Sequence, residues 1–348
     1  MNDSPTPSRG ATDLYPLLFE KNLMEKVWGG HRLRALKGLP PDGRPVGESW
    51  EVSALPGHES IVAEGPLAGR TLPGLVDAYG AALVGGRCLE RFQGRFPLLV
   101  KLIDAGQDLS VQVHPGDRIA WQRHGQPGKS EMWYVLDAPP GSTLYCGFRR
   151  HITPCEYERR VQDGSLCEVL DELPAGRGDV FYVPAGRVHA IRAGLLLVEI
   201  QESSDITYRL YDYGRPGLDG HPRPLHTELA RDVIDFAPAS DGRVRYDPKI
   251  NARVRLVQGP RFAVNYFHVT RPFRRPLLHC DTFVIYICLE GNCCVATPAG
   301  EHVHLRRGQT CLVPAALADV RLVPEGLAHT SRVLEVVSPS DAHLPTEQ

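Results

Sequence analysis

The chain has 348 residues, enough for about two domains, and 39 Lys and Arg against 41 Asp and Glu leave a net charge of −2. Without a basic excess nothing points to nucleic acid or an anionic membrane surface as a partner. No run of about 18 apolar residues is present to suggest a membrane-spanning helix. The 34 Gly and 30 Pro exceed average usage and favour many short strands joined by turns.

Residues 1–12 are polar and lack the apolar core of a signal peptide, so a short disordered lead is expected there. Residues 13–70 carry turn-rich, strand-like pieces punctuated by Gly29-Gly30 and Gly47-Glu-Ser-Trp-Glu-Val-Ser53. Leu75, Tyr79 and Leu83 recur at helical spacing, which makes residues 71–92 a helical region. Strand signals dominate from Phe96 onward, with strict alternation in Leu109-Ser-Val-Gln-Val-His114 and a further strand at Glu131-Met-Trp-Tyr-Val-Leu136. Thr153-Pro-Cys-Glu156 has the form of a capping box and predicts a short helix. Strands follow at 178–183, 195–200 and 206–211, then a helix over 224–236 and a linker at 237–242. Short strands with regular turns resume over 251–340. The segment Gly178-Asp-Val-Phe-Tyr-Val-Pro184-Ala is matched by Gly308-Gln-Thr-Cys-Leu-Val-Pro314-Ala, as two similar β units in tandem would produce.

The nine cysteines are odd in number and show no C-x-x-C spacing. Neither a disulfide framework nor a thiolate zinc site is expected, and reduced thiols in the cytoplasm are.

The strand Leu109–His114 places Ser110, Gln112 and His114 on one face, so an amide oxygen and an imidazole can bind one metal ion. Glu131 adds a carboxylate at the start of the next strong strand. His189 follows the tight turn Pro184-Ala-Gly-Arg-Val. Gln112, His114, Glu131 and His189 together suit Zn²⁺ or another divalent first-row metal.

Seven stretches in order resemble the type I mannose-6-phosphate isomerase family, in its short bacterial form, within the cupin superfamily. They are Lys26-Val-Trp-Gly-Gly30, Gly47–Ser53, Pro97-Leu-Leu-Val-Lys-Leu-Ile-Asp104, Leu109–Pro115, Gly128-Lys-Ser-Glu-Met-Trp-Tyr134, Val183–His189 and Ser204-Asp-Ile-Thr-Tyr-Arg209. The resemblance implies a mainly β fold of tandem cupin (jelly-roll β-barrel) units with a few flanking α-helices. It implies a catalytic metal-binding domain over 13–240 and a C-terminal cupin-like domain over 245–348. The latter lacks the metal site, because Asp319 stands after Pro314 where His189 stands after Pro184. His302 and His304 alternate on one strand there, but no carboxylate follows at the required place.

By the same resemblance the enzyme is a zinc-dependent aldose–ketose isomerase acting on mannose 6-phosphate and fructose 6-phosphate, with one ion per chain on the four ligands above. Arg209 matches the family's catalytic arginine, Lys129 and Asp205 match candidate proton carriers or substrate-orienting groups, and Ser110 matches a phosphate contact. Lys101 is a further substrate candidate, or it extends its amine to solvent. Gly128 stands where some relatives carry a His, so no mechanism through that His applies. On a straight strand the Cα atoms of Asp205 and Arg209 lie roughly 13 Å apart, which ranks Asp205 below Arg209. The rival readings are another metal-dependent cupin enzyme, either an iron oxygenase or a different sugar-phosphate isomerase, and a non-catalytic sugar-phosphate sensor. A small-molecule sugar phosphate is the expected partner, with the protein a monomer or weak homo-oligomer.

Overall fold

Segments rich in β-branched and aromatic residues pair as antiparallel strands in the computed structural model, which describes residues 13–339 apart from 240, 279 and 328. The lead expected over residues 1–12 lies outside the described residues. The chain is mainly β with a few short helices, as expected.

The chain forms two compact units. One takes Lys21–Trp50 and Leu99–Arg245; the other takes the described residues up to Glu20, Glu51–Leu98 and those from Tyr246 onward. This differs from a single cut between 240 and 245, because residues 51–98 group with the C-terminal strands. The physical reason is local bonding: Ala315 and Ala316 donate backbone hydrogen bonds of 2.9 Å to the carbonyls of Leu83 and Ala82. Asp281 accepts from the Gly86 amide at 2.8 Å.

The unit built around residues 99–245 is a sandwich of two sheets. Its seven-stranded sheet runs Arg243–Val244, Val180–Val183, Glu131–Asp137, Leu196–Glu202, Leu98–Asp104, Val46–Val52, Leu23–Gly30. Its five-stranded sheet runs Tyr208–Tyr211, Val111–Val113, His189–Ile191, Thr143–Phe148, Leu170–Pro174. Trp133, Phe181 and Leu197 of the first sheet pack with Leu144, Cys146 and Ile191 of the second. Val111 and Val113 turn instead to a second core, with Tyr157 and Ala230 of two flanking helices. Strand alternation therefore sends Gln112 toward the space between the sheets.

The other unit repeats the two-sheet plan, with six and four strands. Its core joins Phe267, Tyr286 and Val333 to Val295, Leu305 and Leu322. The helical region expected over 71–92 is three helices, Leu72–Tyr79, Ala81–Val84 and Gly86–Arg91. Gly80 and Gly85 break it with φ of 47° and 89°, a backbone region that glycine adopts at little cost.

Candidate metal centre and active site

Register brings the expected ligands together. His189 lies opposite Gln112 on neighbouring antiparallel strands, His114 follows one residue beyond the strand Val111–Val113, and Glu131 opens a strand of the facing sheet. His114 Nε2 is 3.4 Å from Glu131 Oε2, and His189 Nε2 is 3.3 Å from Glu131 Oε1. All three residues are buried.

The two rings are oriented by backbone. His114 Nδ1 lies 2.8 Å from the Ile206 carbonyl and His189 Nδ1 lies 2.8 Å from the Arg187 carbonyl. A carbonyl only accepts, so each Nδ1 carries the proton and each Nε2 presents its lone pair. His114 Nε2 and both Glu131 carboxylate oxygens are buried without any hydrogen bond. Buried lone pairs left unpaired are costly, and convergence of imidazole and carboxylate donors fits a divalent cation.

The protonation states agree with that fit. Burial, then the Lys129 charge, pushes the His114 imidazole down to about 3, and burial lowers His189 as well. Burial raises the Glu131 carboxyl, but Lys129 and the two imidazoles outweigh it and hold it well below the usual range. Neutral imidazoles and an ionised carboxylate are the forms that ligate metal. Gln112 Nε2 lies 3.3 Å from His189 Nε2, while its Oε1 accepts from Ser110 Oγ at 3.3 Å. A half-turn of the amide exchanges these two atoms and presents the oxygen to the cluster.

A cavity of about 250 Å³ adjoins the cluster through Gln112 and Lys129. Every expected substrate or catalytic residue lines it: Ser110, Lys101, Lys129, Asp205 and Arg209. Lys129 Nζ sits 3.2 Å from Glu131 Oε2. Arg209 lies in register with Gln112 on the neighbouring strand, so it projects from the same face. Its guanidinium donates to the Pro224 carbonyl at 2.8 Å, and its buried Nε has no partner. Burial, with Arg223 and Arg215 nearby, lowers its pKa, against the pull of Asp212.

The straight-strand separation of Asp205 and Arg209 does not arise. The strand begins only at Tyr208, and residues 203–207 are irregular, with a bend at 203, and place exposed Asp205 on the cavity. Lys101 does not extend to solvent; it is 2% exposed. Its Nζ lies 3.5 Å from Glu199 Oε1 and 5.0 Å from the centre of the Trp50 ring. Burial lowers its pKa, but Glu48 and Glu199 more than reverse that and raise it overall.

Sequence reasoning missed four charged lining residues: Lys26, Glu48, Glu199 and Arg223. Glu48 accepts from Trp50 Nε1 at 2.9 Å and pairs with Lys26 at 3.2 Å. Burial raises its carboxyl, yet Lys101 and Lys26 hold it down to about 2. Glu199 accepts from Trp133 Nε1 at 3.0 Å; burial and Glu131 raise its carboxyl, with Lys101 opposing. A carboxylate within the apolar run Leu-Leu-Leu-Val-Glu-Ile was the signal for Glu199. Arg223 grips Asp212 with two bonds of 2.7 and 2.6 Å, and its loop bears no comparable signal. Cationic side chains outnumber carboxylates around the cavity, which suits an anionic ligand.

Residues 17–135 match the family described as phosphomannose isomerase type I, catalytic domain. A mannose-6-phosphate isomerase of Bacillus subtilis is 33% identical over 318 residues, covering 90% of this chain and 96% of that protein. One from Streptococcus mutans is 32% identical over 300 residues, covering 86% and 92%. The crystal structure of a Bacillus subtilis mannose 6-phosphate isomerase superposes with a TM-score of 0.82 at 30% identity, covering 92% of this chain and 99% of that one.

Proposed function

The chain belongs to the type I phosphomannose isomerase family, and on that premise we propose that it interconverts mannose 6-phosphate and fructose 6-phosphate in the cavity beside His114, Glu131 and His189. Gln112, His114, Glu131 and His189 would hold one divalent ion, and a donor set of two imidazole nitrogens and two oxygens suits zinc. When bound, such an ion supplies Lewis-acid polarisation of a sugar oxygen.

The reaction moves a proton between C2 and C1 through an enediol-like intermediate. It needs a proton carrier near those carbons and fixed positive charge where an oxygen becomes negative. Arg209 supplies that charge: it is cationic at any working pH, and its unpartnered buried Nε leaves a donor available to substrate. Lys129 and Asp205 are the proton carriers in this reading, approaching the cavity from separate segments. Ser110, Lys101 and Arg223 offer a hydroxyl and two charges to the phosphate. The cysteine usage supports a cytoplasmic setting.

The observation that carries the proposal is the convergence of His114 Nε2 and the Glu131 carboxylate, buried without a hydrogen bond, with His189 Nε2 beside a cation-lined cavity. Turnover of mannose 6-phosphate, measured before chelation, after it and after zinc is restored, tests it. Activity lost and recovered is expected. Ligand binding with no turnover in any metal state would replace the enzyme by a sugar-phosphate sensor.

A further inference from the structure

Away from the cavity, a second group of metal-binding side chains meets on the four-stranded sheet of the other unit. That sheet runs Phe273–Pro276, Asp319–Glu325, Asn292–Ala296, His302–Arg306. Cys293, Val295, Val303 and Leu305 point into the core, so the alternate residues Cys294 and His304 point away from it. Cys294 lies opposite His304 in the register. Glu325, opposite Asn292 on the third strand, sits diagonally to Cys294. One thiol, one imidazole and one carboxylate thus come from three adjacent strands, with ligand atoms all within 4.8 Å of one another. His304 Nδ1 lies 2.9 Å from Glu325 Oε2.

We infer that Cys294, His304 and Glu325 form a second metal site, separate from the isomerase centre, for a borderline-soft divalent cation such as zinc or cobalt. An exposed His–Glu pair alone is ordinary surface chemistry. The thiol sets this group apart: Cys294 is 7% exposed although it faces away from the core, and it stands between the strands that carry the other two. A thiolate ligand selects zinc-like ions over magnesium or calcium, which take oxygen donors. Three protein ligands leave a fourth tetrahedral position for water. His302 packs edge-on against His304 at 5.2 Å, but its Nδ1 faces the Gly300 carbonyl at 3.0 Å, so it stays outside the triad. The bound ion would tie the edge strand His302–Arg306 to the two strands inside it, and its role in this reading is structural.

The test exploits the chemistry of the two centres. The first has no sulfur ligand, so a near-ultraviolet thiolate-to-cobalt charge-transfer band reports only a cysteine-containing site. The reduced, full-length protein, stripped of metal by a chelator that is then removed, is titrated with cobalt(II) chloride, which the cavity centre takes up without such a band. A band that saturates with no more than two cobalt ions bound per chain is expected. Cys294→Ser should abolish it, and His304→Ala should raise the half-saturating concentration at least about tenfold. Mannose 6-phosphate turnover should be unchanged in both variants, which touch no residue of the cavity. No band in the parent protein overturns the site. A band that survives Cys294→Ser also overturns it and assigns the cobalt to another thiol, such as exposed Cys155.

Discussion

Single side chains at the cavity divide by what their loss should do. His114 and His189 each present a buried Nε2 to Glu131, so His114→Ala or His189→Ala should lose metal and turnover together. Metal analysis after dialysis checks this, and stoichiometric metal in either variant would remove that residue from the ligand set. Arg209→Ala should keep its metal and lose about a hundredfold or more in turnover; undiminished turnover would make Arg209 a bystander. Glu48 behaves differently again. Its carboxyl is held at about 2 against an ordinary 4.5, so its contribution to stability is present above the ordinary value and is lost as pH falls toward about 2. Glu48→Gln should therefore flatten the acid side of the stability profile, measured by denaturant unfolding between these values. An unaltered slope would show that the Lys26 and Lys101 charges do not act on it.

Elements owe their ends to short-range chemistry. Thr153 caps the helix Pro154–Gln162 by accepting from the Glu156 amide at 3.1 Å, as its sequence predicts. The reciprocal half of the capping box does not form, because the Glu156 carboxylate is drawn to Arg150 and Arg160. Thr153→Ala should still cost about 1 kcal/mol, read from the unfolding midpoint, since the cap itself is intact. A loss near zero would mean the helix is held by Tyr157 packing alone. Strand identity was readable where alternation ran for several residues, as around Gln112, although the strand spans only Val111–Val113 of the expected 109–114. It failed at residues 206 and 207, whose β-branched side chains read as strand while the backbone stays irregular up to Tyr208 and places Asp205 on the cavity. It failed also at residues 224–236, where only Thr227–Arg231 is helical.

At the scale of the whole molecule the two units draw on interleaved parts of the chain. A protein ended at residue 245 would leave the helices carrying Leu72, Leu75 and Val76 without the C-terminal strands of their own unit. Such a truncation should aggregate or unfold rather than give a free-standing isomerase; a soluble, fully active 1–245 fragment would restore the single-cut domain division. The family was legible in the linear chain, and so were the residues His114, Glu131 and His189 that the structure brings together, because motif order and side-chain alternation along a strand are local properties. Glu131 facing two histidines from the opposite sheet, Lys101 buried between Glu48 and Glu199, and Cys294 meeting His304 and Glu325 were decided only by tertiary structure. Each joins strands distant in sequence, and the pairing of such strands depends on register and sheet packing that no short stretch of residues encodes by itself.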